Sequence, residues 1–223
     1  MSPELPQPAP GVPVFFVSYA HADPGAGAAD RAGDDQHVWR FYEDLSRHVR
    51  QLLGLRTGTA PGFIDHSMKG GERWEGAILA AVRTASVLVA LVSADYLQSP
   101  WCAREWDAFS RRRAARKDGR PGGENATTVV PVTWSPVPST YMPPTIQSVH
   151  RFGPNAPGTA DLRASYEQNG IYGLLVRNSP LYDTVVWDLA RHVADLFYTF
   201  DVAFGAELTT AELHATFEAE ADE

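Results

Sequence analysis

Ser86-Val-Leu-Val-Ala-Leu-Val92-Ser93-Ala-Asp-Tyr-Leu-Gln98-Ser99-Pro-Trp-Cys-Ala-Arg-Glu105-Trp106 decides the fold. The unbroken apolar run to Val92 is the mark of a strand buried on both faces, as in a parallel sheet. Ser99 then stands as a helix N-cap and Pro100 at the first helical position, so a helix starts soon after the strand ends. Trp101 and Glu105 lie four residues apart and share one face of that helix, near the end where its dipole is positive. Such an end favours an anionic or phosphorylated ligand.

Upstream, Val14-Phe-Phe-Val17 reads as a strand and the glycine- and alanine-rich stretch 24–35 as a long loop. Over 36–53 the residues Val38, Phe41, Tyr42, Leu45, Val49 and Leu52 recur at helical spacing, and Gly54 ends the pattern. A second strand is expected over 62–65. The loop His66-Ser-Met-Lys-Gly-Gly-Glu72 follows, then a helix over 73–84 with Trp74, Ile78, Ala81 and Val82 inward. Downstream, a polar break over 118–125 precedes the strand Thr128-Val-Val-Pro-Val-Thr-Trp134, which Pro131 places towards a sheet edge or bends.

Strands alternating with helices imply right-handed crossovers. The expected fold is therefore α/β, a flavodoxin-like doubly wound parallel sheet of about five strands in the order 2-1-3-4-5, with helices on both faces. Residues 146–152 are expected to supply the fifth, weaker strand. A last helix begins near Leu181 and buries Val185, Val186, Leu189, Val193, Leu196 and Phe197. Beyond Phe200 the chain turns acidic. Thr209-Thr-Ala-Glu212 has the form of a capping box opening a short helix, within what reads as a solvated tail.

The 223 residues suit one α/β domain, and the formal charge of -8 argues against nucleic acid as the main partner. A single cysteine, Cys102, excludes an intramolecular disulfide framework and reads as a small buried hydrophobe. No apolar run approaches the roughly 18 to 20 residues that cross a bilayer, and the proline-rich opening lacks the features of a signal peptide; the cytoplasm is the expected compartment. The histidines show no paired metal-ligand spacing, so no metal is expected. Arg111-Arg-Arg113, Arg116 and Lys117 sit at a helix C-terminus, where a solvated basic face offsets the dipole. Gly25-Ala-Gly27-Ala-Ala-Asp30 lacks the third glycine and the placement of a dinucleotide fingerprint.

In a 2-1-3-4-5 sheet the ligand crevice opens outside the carboxyl ends of strands one and three. Those ends are Ser18-Tyr-Ala-His-Ala-Asp23 and Ser93 to Gln98, so topology carries Tyr19, His21, Trp101 and Glu105 towards one cleft.

The segments VFFVSYAHAD, GFIDHSMKGGERW, SVLVALVSADYLQSPWCAREW and TVVPVTW, in this order and spacing, resemble a Toll/interleukin-1 receptor (TIR) domain of bacterial type, from about Pro13 to Trp134 and more loosely to Phe200. On that resemblance, 1–12 is a proline-rich tail, 13–200 the TIR domain and 201–223 an acidic extension. The SYA opening, the S..C..EW..F helix and Tyr172-Gly-Leu174 look most like TIR-like proteins of actinobacterial peptide-maturation (FxSxx-COOH) clusters.

The resemblance implies cleavage of NAD+ at its nicotinamide-ribose bond. NAD+ is then a substrate and no cofactor is needed. Glu105 occupies the position of the catalytic glutamate of such members, and Trp101 that of an aromatic four residues before it. Tyr19, Ala20 and His21 after the first strand, with Ser67 and Gly71 after the second, are implied to line the nucleotide site. Some active members carry basic residues where this chain has Ala20 and His21. Nicotinamide leaves a cationic base as a neutral molecule, so one carboxylate that stabilises the ribosyl cation meets the need, unlike the two of ordinary glycoside hydrolysis. Also implied are homotypic TIR–TIR self-association, with the loop 66–72 as contact element, and a role in anti-phage defence or nucleotide signalling, without membrane or nucleic acid. The same fold also serves as a non-catalytic module that recruits a regulatory or peptide-maturation protein, because fold does not fix function.

Overall fold

A computed structural model of the chain describes residues 6–21, 28–64, 72–121, 126–155, 160–206 and 209–218. Its strands are β1 (Phe15–Ser18), β2 (Gly62–Ile64), β3 (Val87–Val92), β4 (Ala114–Arg116), β5 (Val129–Thr133) and β6 (Phe200–Val202). Its helices are α1 (Ala28–Leu53), α2 (Glu72–Thr84), α3 (Ala94–Gln98), α4 (Pro100–Ser110), α5 (Pro144–Gln147), α6 (Ala160–Val176) and α7 (Leu181–Thr199). A parallel sheet runs in the order β2-β1-β3-β5, while β4 and β6 make a separate antiparallel ribbon. The reversal of winding lies between β1 and β3, as the α/β expectation requires.

Alternation along the strands divides the core. Phe15 and Val17 of β1, with Val87, Val89 and Leu91 of β3, face the cluster built on α1, α6 and α7. Phe16 of β1, with Leu88, Ala90 and Val92 of β3, faces α2, α3 and α4. Each residue of β3 is buried, which is what its uninterrupted apolar composition demands. Period two also settles where Ser18 goes: two positions after Phe16, and in register with Ala90, it looks towards α4.

Several expectations are corrected. α1 begins at Ala28, inside the stretch read as loop. Alanine is the best helix former, and acidic residues such as Asp30 suit a helix's first turns. The main sheet has four strands among the described residues, and 146–152 is not a fifth. Ile146, Val149 and Phe152 recur every three residues, a turn-like spacing, and Pro144 opens the one-turn helix α5. The outer edge of β5 is covered instead by single bonds: the Phe152 amide donates to the Pro131 carbonyl (2.9 Å) and the Thr133 amide to the Tyr166 hydroxyl (2.8 Å). Pro131 is on an edge strand, as expected.

The helix α6 has no counterpart in the sequence reading. It bends at Gly170, whose φ of 63° and ψ of 179° belong to a region that only glycine occupies readily. A Cβ there would collide with the Trp134 carbonyl oxygen. The bend splits the helix into two short apolar runs, Leu162 with Tyr166 and Ile171 with Leu174 and Leu175, neither long enough to announce its period.

The basic run after α4 is a solvated face only in part: Arg111, Arg113 and Lys117 are exposed, while Arg112 is half-buried. Arg112 donates to the carbonyls of Val82 (2.7 Å) and Ala85 (2.6 Å) at the C-terminal end of α2 and to that of Ala203 (2.9 Å). Lys117 does the same for the Phe197 carbonyl in the last turn of α7 (2.6 Å). The cations meet helix C-termini, but those of neighbouring helices, and they tie the β4–β6 ribbon to the domain.

The tail also departs from a solvated one. The capping box at Thr209 and Glu212 is formed around a single 3-10 turn, after which Leu213 and Phe217 are buried against α3 and α4. No helix among the described residues is long and apolar enough to cross a membrane.

Candidate active site

Ser99 and Pro100 start α4 as their chemistry dictates: Ser99 accepts from the Cys102 amide at 3.3 Å and Pro100 holds the first helical position. The inward face of α4 then presents Cys102, Glu105, Trp106 and Phe109 to the sheet. Glu105 is only 3% exposed, an unusual place for a carboxylate. The Ser18 hydroxyl, delivered by the last residue of β1, donates to its Oε2 at 2.5 Å. A second hydroxyl, from the fully buried Tyr96 of α3, lies 3.2 Å from Ser18 Oγ. Since Ser18 has one proton and spends it on Glu105, Tyr96 is placed to donate into the Ser18 oxygen.

Both neighbours of the carboxylate stay protonated at neutral pH. Burial drives the Tyr96 hydroxyl well above the ordinary tyrosine range, and the adjacent Cys102 and Glu105 reinforce the effect. Burial likewise drives up the Cys102 thiol, with the Glu105 charge as the next cause. Cys102 is thus the inert, buried residue expected, far from a thiolate nucleophile.

The structure distributes the other expected site residues unequally. Trp101 and Ala20 are partly buried against the cluster on the α4 side, the same side as Ser18 and Glu105. Tyr19 is buried in the opposite cluster, beside α1 and α7, and its ring meets that of His21 at 4.4 Å. Ser67 and Gly71 lie outside the described residues. Arg104 reaches over the Trp101 ring, 6.0 Å from its centroid, and brings a cation to the α4 N-terminal turns.

Sequence reasoning missed Ser18 and Tyr96. Ser18 was recoverable, since it continues the two-residue alternation of Phe16 onto the α4 face. Tyr96 was not, because α3, a single turn capped by Ser93, carries no periodic signal.

A cleft of about 390 Å³ opens between α6 and α7 and one of about 480 Å³ along the outer edge of β5, neither lined by Glu105. The α6–α7 cleft balances Arg163 and Arg191 with Asp188 and Asp195, whereas the β5-edge cleft sets Arg151 and Arg163 against Glu167 alone. Among the described residues no group of three or more His, Cys, Asp or Glu is placed to hold a metal ion.

The class is a doubly wound α/β domain, and Glu105 is buried in it on the second helix after β3. The chain matches the TIR domain family over residues 36–168, and it belongs to that family. A relative from Brachypodium distachyon, named as a probable 2' cyclic ADP-D-ribose synthase, is 34% identical over 93 residues. That match covers 40% of this chain and 42% of the relative, so the chain spans less than half of the length of the curated protein it matches. No solved structure matches significantly.

Proposed function

We propose that this chain cleaves NAD+ at the nicotinamide-ribose bond, with Glu105 as the catalytic carboxylate. The observation that carries the reading is the Glu105 site itself: a carboxylate with 3% exposure, oriented by the Ser18 hydroxyl at the carboxyl end of β1. A negative charge held in a site of low polarity stabilises a developing ribosyl cation far more than the same charge would in water. Nicotinamide departs neutral, so no proton need be delivered, and water or a ribose hydroxyl of the same molecule captures the cation. Membership of the TIR family and the name of the plant relative support this chemistry. Trp101 and Ala20 flank the site on the same side of the sheet, and we assign Tyr19, His21, Ser67 and Gly71 to the nucleotide's remaining contacts.

At 3% exposure, Glu105 is reached by substrate only after a local opening of the site. We assign that opening to self-association between TIR domains. The test is nicotinamide release from NAD+ across a series of protein concentrations, for the wild-type chain and Glu105→Gln. Release that rises faster than protein concentration and vanishes in the variant is expected. Absence of release from concentrated protein, or equal release by the variant, overturns the assignment in favour of a non-catalytic recruiting module.

A further inference from the structure

The segment 209–218 is anchored over the helices that build the Glu105 site. Leu213 and Phe217 are 5% and 3% exposed, and the Phe217 ring stacks on Tyr96 (centroids 5.4 Å apart, 29° between planes) and meets Trp106 edge-on at 6.0 Å. Polar bonds fix the segment at separate points: the Thr145 hydroxyl donates to the Phe217 carbonyl (2.9 Å), the His214 amide to Asp107 (3.0 Å) and Arg111 to the Glu212 carbonyl (3.0 Å). The capping box of Thr209 and Glu212 preorganises the turn that leads in.

Contact continues from there to the carboxylate. Phe217 packs on the Tyr96 ring, the Tyr96 hydroxyl meets Ser18, and Ser18 donates to Glu105. The helix α3 that bears Tyr96 is one turn long and contributes little rigidity of its own. Trp106, the other ring against Phe217, is the residue next to Glu105 on α4.

We propose that Phe217 and Tyr96 are positioning residues: the C-terminal segment acts as a clamp that fixes Tyr96 and thereby holds Ser18 and Glu105 in catalytic geometry. This rests on the reading of Glu105 as the catalytic carboxylate. The clamp touches neither substrate nor reacting atoms, so its loss is expected in kcat rather than in KM.

The experiment uses the full-length chain with Phe217→Ala, Phe217→Leu, Tyr96→Phe and the double variant Tyr96→Phe/Phe217→Ala. Nicotinamide release is measured well below each variant's unfolding temperature, and backbone hydrogen exchange is followed without NAD+. Phe217→Ala is expected to lower kcat by about 10-fold with KM within about twofold, since small misplacements of reacting groups are costly. Phe217→Leu, which keeps an apolar anchor, restores most of it. Tyr96→Phe keeps the stacked ring, removes the hydroxyl and is expected to lower kcat similarly. The double variant falls no further than the worse single one, because both act on one path. Faster exchange at β1 and α4 in Phe217→Ala supports the clamp even if the wild-type chain releases no nicotinamide, an outcome that sinks the NAD+ reading alone. Unchanged exchange there, a rise in kcat, or strictly additive losses overturns the clamp.

Discussion

Glu105, buried in the middle of α4, and Arg112, half-buried just past its C-terminal end, use their charges differently. Arg112 ties the last carbonyls of α2 and the Ala203 carbonyl to the domain. Glu105, about two turns earlier, meets the hydroxyl of a residue at the end of a strand, where open α/β sheets bind their ligands. Burial of a charge is therefore not in itself a sign of function. What separates the two is what the charge touches: Arg112 completes hydrogen bonds that helix ends leave open, whereas Glu105 accepts from the Ser18 hydroxyl at the end of β1.

The largest expected effect would break this contrast if absent. Glu105→Gln keeps the shape of the side chain and its capacity to accept from Ser18 but removes the charge, so nicotinamide release should fall by about 100-fold or more. Thermal stability should change by less than about 1 kcal/mol, a shift within roughly 2–4 °C for a chain of this size. A large loss of stability would instead place Glu105 with Arg112 among the structural charges.

Arg112→Ala is the reciprocal variant. It leaves the Val82, Ala85 and Ala203 carbonyls without their shared donor, and bonds from charged donors are among the stronger ones, so we expect about 3 kcal/mol of destabilisation by urea unfolding. Activity per folded molecule should stay near the wild-type level. Arg112→Lys should recover only part of the stability, since one ammonium cannot reproduce a fork aimed at three carbonyls.

The same contrast explains what was legible in the sequence. The elements from β1 to β5 that build the sheet follow local rules: an apolar run in β3, helical spacing in α1, a serine and a proline at the head of α4. Glu105 and Trp101 come into view through them. The illegible parts depend on contacts distant in sequence. Arg112 bonds to carbonyls about 30 and 90 positions away, and the basic run around it gave no hint of the acceptors. α6 was hidden by its bend at Gly170, which is set by the Trp134 carbonyl rather than by neighbouring residues. Leu213 and Phe217 stood in an acidic, sparsely apolar stretch, and only the rings of Tyr96 and Trp106 reveal why they are buried.

A smaller effect sharpens the description of the Glu105 site. Ser18→Ala removes the donor to Oε2 while the strand keeps its register with β3. A hydrogen bond to a charged group contributes on the order of 1.5–3 kcal/mol, and if most of it serves orientation, kcat should fall about 10-fold. Ser18→Thr retains a hydroxyl and should recover part of the rate. Steady-state rates at saturating NAD+ separate this loss from weaker binding.

The smallest effect concerns the alkaline limb of stability and asks whether the Glu105 site is sealed from water. Tyr96, Tyr166 and Tyr182 are all buried, and burial raises each hydroxyl above its ordinary range, that of Tyr166 to about 12. Above about pH 10 the unfolded chain gives up these protons while the folded chain keeps them, so the folded state binds more protons and stability falls as pH rises. The fall continues until each folded-state value is passed. Each tyrosine contributes a slope of up to about 1.4 kcal/mol per pH unit within its window. Urea unfolding at a series of pH values from about 9 to 11 reads that slope. Tyr96→Phe should make it shallower by one tyrosine's share. Equal slopes for Tyr96→Phe and the wild-type chain would mean that water reaches the Tyr96 hydroxyl, and with it the Ser18–Glu105 pair, in the resting state.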